Sequence, residues 1–178
     1  KIFEKIDLEK ILQKKEIIRK LNGKNTINYK AKKFRNNFVL SYYSQSSLAN
    51  GRLNFSNATL ISGGSINCIG DSLLTEEYPR LNFDCKIQIK DKKKFFSKVF
   101  KSQKMNNDSF NLNVKGSLNL LKKKINFKKI NFGKEKEYEA NEEDIKYFKE
   151  TFEQVLFNED FFDIFQKNKI KEFLTEII

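Results

Sequence analysis

The sequence predicts an α+β fold: one strongly twisted, gutter-like antiparallel β-sheet of about seven to nine strands, apolar on one face, with helices toward both ends. Three observations lead there. Residues 81–90 and 109–120 alternate apolar and polar side chains without a break, the mark of strands with one dry and one wet face. Turn residues recur between alternating segments at a pace of roughly 10–15 residues, as in successive hairpins. Helical spacing is confined to the beginning, one short central stretch and the last part of the chain.

The first element, IDLEKILQKKEIIRKLNG, reads as a helix. Asp7 stands where a cap belongs, Ile11, Leu12, Ile18 and Leu21 recur near helical spacing, and Gly23 occupies the position of a left-handed C-cap. From about residue 26 the period becomes two. Ile27, Tyr29 and Ala31 alternate with polar neighbours, as do Phe38, Leu40 and Tyr42. Asn50-Gly51 supplies the pair of positive-φ residues that a two-residue hairpin needs, and Leu53 and Phe55 continue the pattern beyond it. Ser62-Gly63-Gly64-Ser65 makes the next break, before the strand SINCIGDS.

In LNFDCKIQIK, residues Leu81, Phe83, Cys85, Ile87 and Ile89 face one way and Asn82, Asp84, Lys86, Gln88 and Lys90 the other. In SFNLNVKGSLNL, the dry side holds Phe110, Leu112, Val114, Leu118 and Leu120. Between these strands, DKKKFFSKVFKSQK reads as a short amphipathic helix starting at Asp91, with Phe95, Phe96, Val99 and Phe100 on its apolar side. After the basic turn Lys122-Lys123-Lys124, Ile125 and Phe127 sit at odd positions but Ile130 and Phe132 at even ones. That change of parity predicts a β-bulge at Lys128-Lys129. Asn141 then caps a helix striped by Ile145, Phe148, Phe152, Val155 and Leu156, with two further helical pieces around residues 161–165 and 169–178.

Residues 1–178 read as a single domain, helix and sheet over 1–133 and a helical tail over 134–178; Lys rather than Met at position 1 suggests a piece of a longer chain. Charge follows the same division. Residues 1–133 hold 28 Lys/Arg against 10 Asp/Glu, a balance of +18, and residues 134–178 hold 7 against 13, a balance of −6. A basic sheet attracts anionic partners, although Lys is also what a Lys- and Asn-rich composition places on any wet face.

The chain contains no His, which removes Ser-His and Cys-His nucleophile pairs and most zinc sites. Neither a GxGxxG nor a GxxxxGK[ST] loop occurs. Glu76-Glu77 falls in a turn, and Glu142-Glu143-Asp144 in the first turn of a helix, where negative charge is favoured. The expectation is a non-enzymatic domain with no cofactor and no metal. Phe alternating with Lys and Asn places stacking surface and charge on opposite faces, so no specific nucleic-acid binding is expected.

Cys68 and Cys85 carry more information. A hairpin register in which paired numbers sum to 153 sets Cys68 opposite Cys85, Ile66 opposite Ile87 and Gly70 opposite Phe83, all on the dry face. The pair either closes as a disulfide in an oxidising compartment or persists as two thiols acting as small hydrophobes.

The order of these features resembles the C-terminal region of AsmA-like envelope proteins. It is carried by the "ID…L" helix ending in Leu21-Asn22-Gly23, then NGRLNFSNATL, GGSINCIGDS, LNFDCKIQIKDKKKFF and FNLNVKGSLNLLKKKINFKKI, over roughly residues 5–133. The Cys pair and the acidic tail are departures from the pattern. The resemblance implies kinship with bridge-like lipid transfer proteins: a periplasmic domain, held to the inner membrane by an anchor upstream of Lys1, whose apolar gutter carries phospholipid in outer-membrane biogenesis. On that reading the lipid-facing residues are Leu81, Phe83, Ile87, Phe110, Leu112, Val114 and Leu118. The alternative is a protein-interaction or scaffold module whose dry face is covered by its own helices and whose basic face docks an acidic partner.

Overall fold

Alternation becomes a sheet in which every strand lies beside its neighbours in the chain. In the computed structural model, which describes residues 8–32, 37–99, 109–122, 124–133, 137–156, 169, 172 and 173, the strands are β1 (Gly23–Lys30), β2 (Val39–Ala49), β3 (Arg52–Ile61), β4 (Gly64–Leu73), β5 (Arg80–Ile89), β6 (Phe110–Asn119), β7 (Lys124–Gly133) and β8 (Glu137–Glu139). All seven pairings are antiparallel and the order is β1 to β8, an open, curled meander. Helices α1 (Leu8–Gln13) and α2 (Lys15–Lys20) precede it, α3 (Lys92–Val99) joins β5 to β6, and α4 (Glu142–Leu156) follows β8. The α+β class and the single antiparallel sheet match the sequence expectation. Among the described residues, no helix is long and apolar enough to cross a membrane.

Turns form where their chemistry demands. Asn50 and Gly51 take φ of 51° and 79°, giving the β2–β3 hairpin the twist its strands need. Gly63, at φ 85°, turns β3 into β4. The parity change in β7 is a bulge: Lys115 lies opposite Lys129 and Gly116 opposite Phe127, leaving Lys128 as the extra residue. A second irregularity falls between Val39 and Ser41 of β2.

Two local expectations are corrected. The opening helix is broken at Lys14 (φ −83°, ψ 54°) into two short pieces, because Leu12 and Ile18 both turn into the core and one straight helix does not align them. Its end is not a glycine cap. Leu21 goes extended (φ −76°, ψ 123°), and Gly23 is already the first residue of β1. The Asp7 cap, Phe100 and nearly all of the last two helical pieces lie outside the described residues. β8 was not anticipated; three residues are too few for alternation to show.

The apolar residues gather in two clusters, both on the dry face. The larger joins Val114, Leu118, Ile125, Phe127 and Ile130 of β6–β7 to Leu12, Ile18, Phe148 and Phe173. The smaller joins Ile61 and Ile89 to Phe95 of α3, toward the ends of β3 and β5 where the chain leaves those strands. Asp91 starts α3 by accepting the Lys94 backbone N–H at 2.9 Å, and Asn141 starts α4 by accepting that of Asp144 at 2.8 Å.

Candidate functional site

The dry face can be followed strand by strand through the register. One row crosses the sheet as Asn25, Ser46, Phe55, Gly70, Phe83, Gly116 and Phe127. Phenyl rings and glycines alternate across five strands. A Cβ on Gly116 would stand 2.7 Å from Phe83 Cζ, and one on Gly70 would collide with the Phe55 ring, so Phe55 and Phe83 each lie over the glycine of the next strand. Phe83 and Phe127, two strands apart, approach edge-to-face at 6.2 Å between centroids. The next row reads Ile27, Ser44, Asn57, Cys68, Cys85, Val114 and Ile130, and the one beyond it Tyr29, Tyr42, Thr59, Ile66, Ile87, Leu112 and Phe132.

What covers this face changes from one side to the other. Over β6–β7, α4 lays Phe148 and Phe152 on Phe127 at 4.9 and 5.6 Å, and Phe173 closes the cluster at 5.4 and 5.5 Å from those two rings. Over β1–β4 the dry face is only half-buried in its central rows. Tyr42, Phe55, Ile66 and the two cysteines are intermediate in exposure, while Ile27 and Tyr29 are each 49 % exposed. This side is also more polar than the alternation suggests, since Ser44, Ser46, Asn57 and Thr59 share it.

The residues expected to meet lipid therefore divide. Val114 and Leu118 are buried in the chain's own core beside Leu120 and Ile125. Leu81, Phe83 and Leu112 are half-buried against the same cluster, and Ile87 and Phe110 against the α3 cluster. The accessible apolar strip lies instead toward β1, along Ile27, Tyr29, Tyr42 and Phe55, while Ile66 of β4 joins Ile87 and Phe110 against the α3 cluster. The alternation marks these residues as dry-facing; it carries no signal of which dry residues a helix will cover.

Cys68 and Cys85 lie directly opposite each other in the register summing to 153, with Cα atoms 4.1 Å apart, and the structure joins them as a disulfide. It spans 17 positions in sequence, a loop worth about 3 kcal/mol in the chain-entropy estimate. The bond ties β4 to β5 at the border between the open and covered halves. Ser72, on the same face of β4, is fully buried, and its Oγ has no hydrogen-bond partner among the described residues.

The wet face carries Lys, Asn, Ser and Gln, and part of its charge is neutralised in place. Lys115 bridges Asp84 directly across β5–β6 at 2.8 Å, Arg52 meets Asp71 at 3.7 Å and Lys129 meets Glu139 at 3.2 Å. Among the described residues, shallow depressions include two on this sheet. One, about 440 Å³, is lined by Leu40, Leu60, Ser62, Lys90, Asp91 and Lys94. Its acid is already engaged: the Lys94 backbone N–H, then the Lys94 ammonium at 3.1 Å, hold the Asp91 carboxyl below its usual range. The other, about 370 Å³, is lined by Lys24, Gln45, Ser46, Ser47, Asn54 and Phe55.

No protein-family model, curated protein or solved structure matches the chain.

Proposed function

We propose that the chain is a non-enzymatic cell-envelope domain that holds phospholipid acyl chains along the open, β1–β4 half of its dry face. The observation that carries the reading is the accessible apolar strip Ile27, Tyr29, Tyr42 and Phe55, beside a half whose equivalent surface is sealed by α4. An acyl chain laid on such a strip gains about 0.8 kcal/mol for each CH₂ removed from water. The hydroxyls and amides of Ser44, Ser46, Asn57 and Thr59 lie within the same rows and suit the ester and glycerol end of a lipid better than a second hydrocarbon surface. The AsmA-like order of features is the ground for placing this activity in the periplasm, in phospholipid transfer or outer-membrane biogenesis. The scaffold reading draws less support, because Arg52, Lys115 and Lys129 on the wet face already face carboxylates.

Native mass spectrometry after incubation with phosphatidylglycerol vesicles tests the proposal. The protein is expected to retain phospholipid, and Tyr42→Asp to lose it with an unchanged circular dichroism spectrum. A protein that never retains phospholipid, or a Tyr42→Asp variant that retains it equally, overturns the reading.

A further inference from the structure

The strand β1 is an edge whose middle no other described residue covers. It pairs with β2 over eight residues without a register break, it is the terminal strand of the sheet, and all eight residues are exposed. It contains no proline and no bulge, the two devices that most directly spoil an edge as a pairing template. The opposite edge, β8, is three residues long and presents much less backbone. The open strip of the dry face also runs out at β1, where Ile27 and Tyr29 stand half-exposed with no strand beyond them among the described residues.

We propose that two copies of this chain join through their β1 edges, antiparallel about a two-fold axis at Asn28, so that the dry face continues from one copy into the other. The sequence of β1 selects this register. A two-fold at Asn28 sets Ile27 opposite the partner's Tyr29 twice, a β-branched and aromatic pairing that favours strand association. On the wet face Lys30 then lies opposite the partner's Thr26, and Asn28 opposite the partner's Asn28. Centring on Ile27 instead opposes Lys24 and Lys30 twice, placing like charges side by side. Centring on Thr26 puts Ile27 opposite an asparagine. Each registry keeps dry residues with dry residues, but only the one at Asn28 pairs the apolar side chains and separates the lysines.

The assembly deepens the lipid reading, on which its functional meaning rests: each copy contributes Ile27 and Tyr29 to a strip twice as wide. The association itself needs no lipid. Each chain carries a net charge of +12, so added salt is expected to strengthen the pairing by screening the repulsion, the opposite of an interaction driven by attraction between unlike charges.

Sedimentation velocity on lipid-free protein, across a concentration series in dilute salt and at about 0.5 M, where the Debye length falls well below 10 Å, is the test. A reversible monomer–dimer equilibrium that shifts to dimer with concentration and salt is expected. Ile27→Lys, with an unchanged circular dichroism spectrum, should leave only monomer. Asn28→Cys should give a covalent dimer with a short bis-maleimide, while Asn67→Cys, on the wet face of β4, should not; the native cysteines are bonded to each other and do not compete. Monomer under every condition, a dimer untouched by Ile27→Lys, or equal cross-linking through both introduced cysteines overturns the proposal. Because lipid is absent throughout, failure here leaves the lipid experiment to stand or fall alone.

Discussion

Phe55, Gly70, Phe83, Gly116 and Phe127 show how single residues set the shape of this sheet. Glycine is a poor strand residue by propensity, and β-branched replacements ordinarily improve a strand. Position 70 reverses that expectation, because its missing Cβ is the space that the Phe55 ring fills, with the Asn82 carbonyl oxygen crowding the same point. Gly70→Val therefore forces the ring off its seat or the backbone apart, an overpacking cost of about 1–3 kcal/mol that exceeds any propensity gain. Urea unfolding should show a lower midpoint for Gly70→Val. A midpoint equal to or above that of the parent chain would mean the ring–glycine row contributes nothing to the packing.

At the scale of elements, the strands were far more legible in the sequence than the helices. Period-two alternation identifies which residues share a face, and the Cys68–Cys85, Ile66–Ile87 and Gly70–Phe83 pairs follow from sequence numbers alone. The bulge at Lys128 was legible for the same reason, as a change of parity. The break at Lys14 was not, because helical spacing describes a stripe, whereas Leu12 and Ile18 are pulled into the core by surfaces far away in the chain. Nor could alternation show that α4 settles over β6–β7 and leaves β1–β4 open; a dry face records that something covers it, not what. For α4 itself, two substitutions separate local from tertiary stabilisation. Asn141→Ala removes the accepting side chain at the helix start and should cost about 1 kcal/mol. Phe148→Ala empties the contact with Phe127 and Phe173 and should cost about 3–5 kcal/mol. Similar losses in urea unfolding for both would contradict a helix held mainly by its aromatic face.

Across the whole molecule, burial runs in a gradient from β7 to β1. Strand β7 alternates buried Ile125, Phe127 and Ile130 beneath α4, β6 has three consecutive buried positions from Gly116 through Leu118, and β1 has none. Apart from the two irregularities in β2 and β6–β7 the ladder runs from strand to strand, so backbone pairing alone predicts nearly uniform protection. Packing predicts otherwise, since opening a segment costs little where few apolar contacts must be broken and approaches the global unfolding free energy where the core lies. The disulfide between β4 and β5 fixes the boundary: strands on its β6–β7 side share the larger cluster with α4, and those on its β1–β2 side have only the smaller α3 cluster, which reaches β2 at Val39 and does not include β1. Native-state hydrogen exchange of dilute, lipid-free protein should therefore find the amides of β6 and β7 slowest and those of β1 that bond to β2 fastest among all strands, with β3 and β4 between. Bound phospholipid should slow exchange most in β1–β4, where the open strip lies, and leave β6–β7 unchanged. Uniform protection across the eight strands would contradict the packing gradient, and a lipid effect confined to β6–β7 would place the working surface under α4 rather than on the open half.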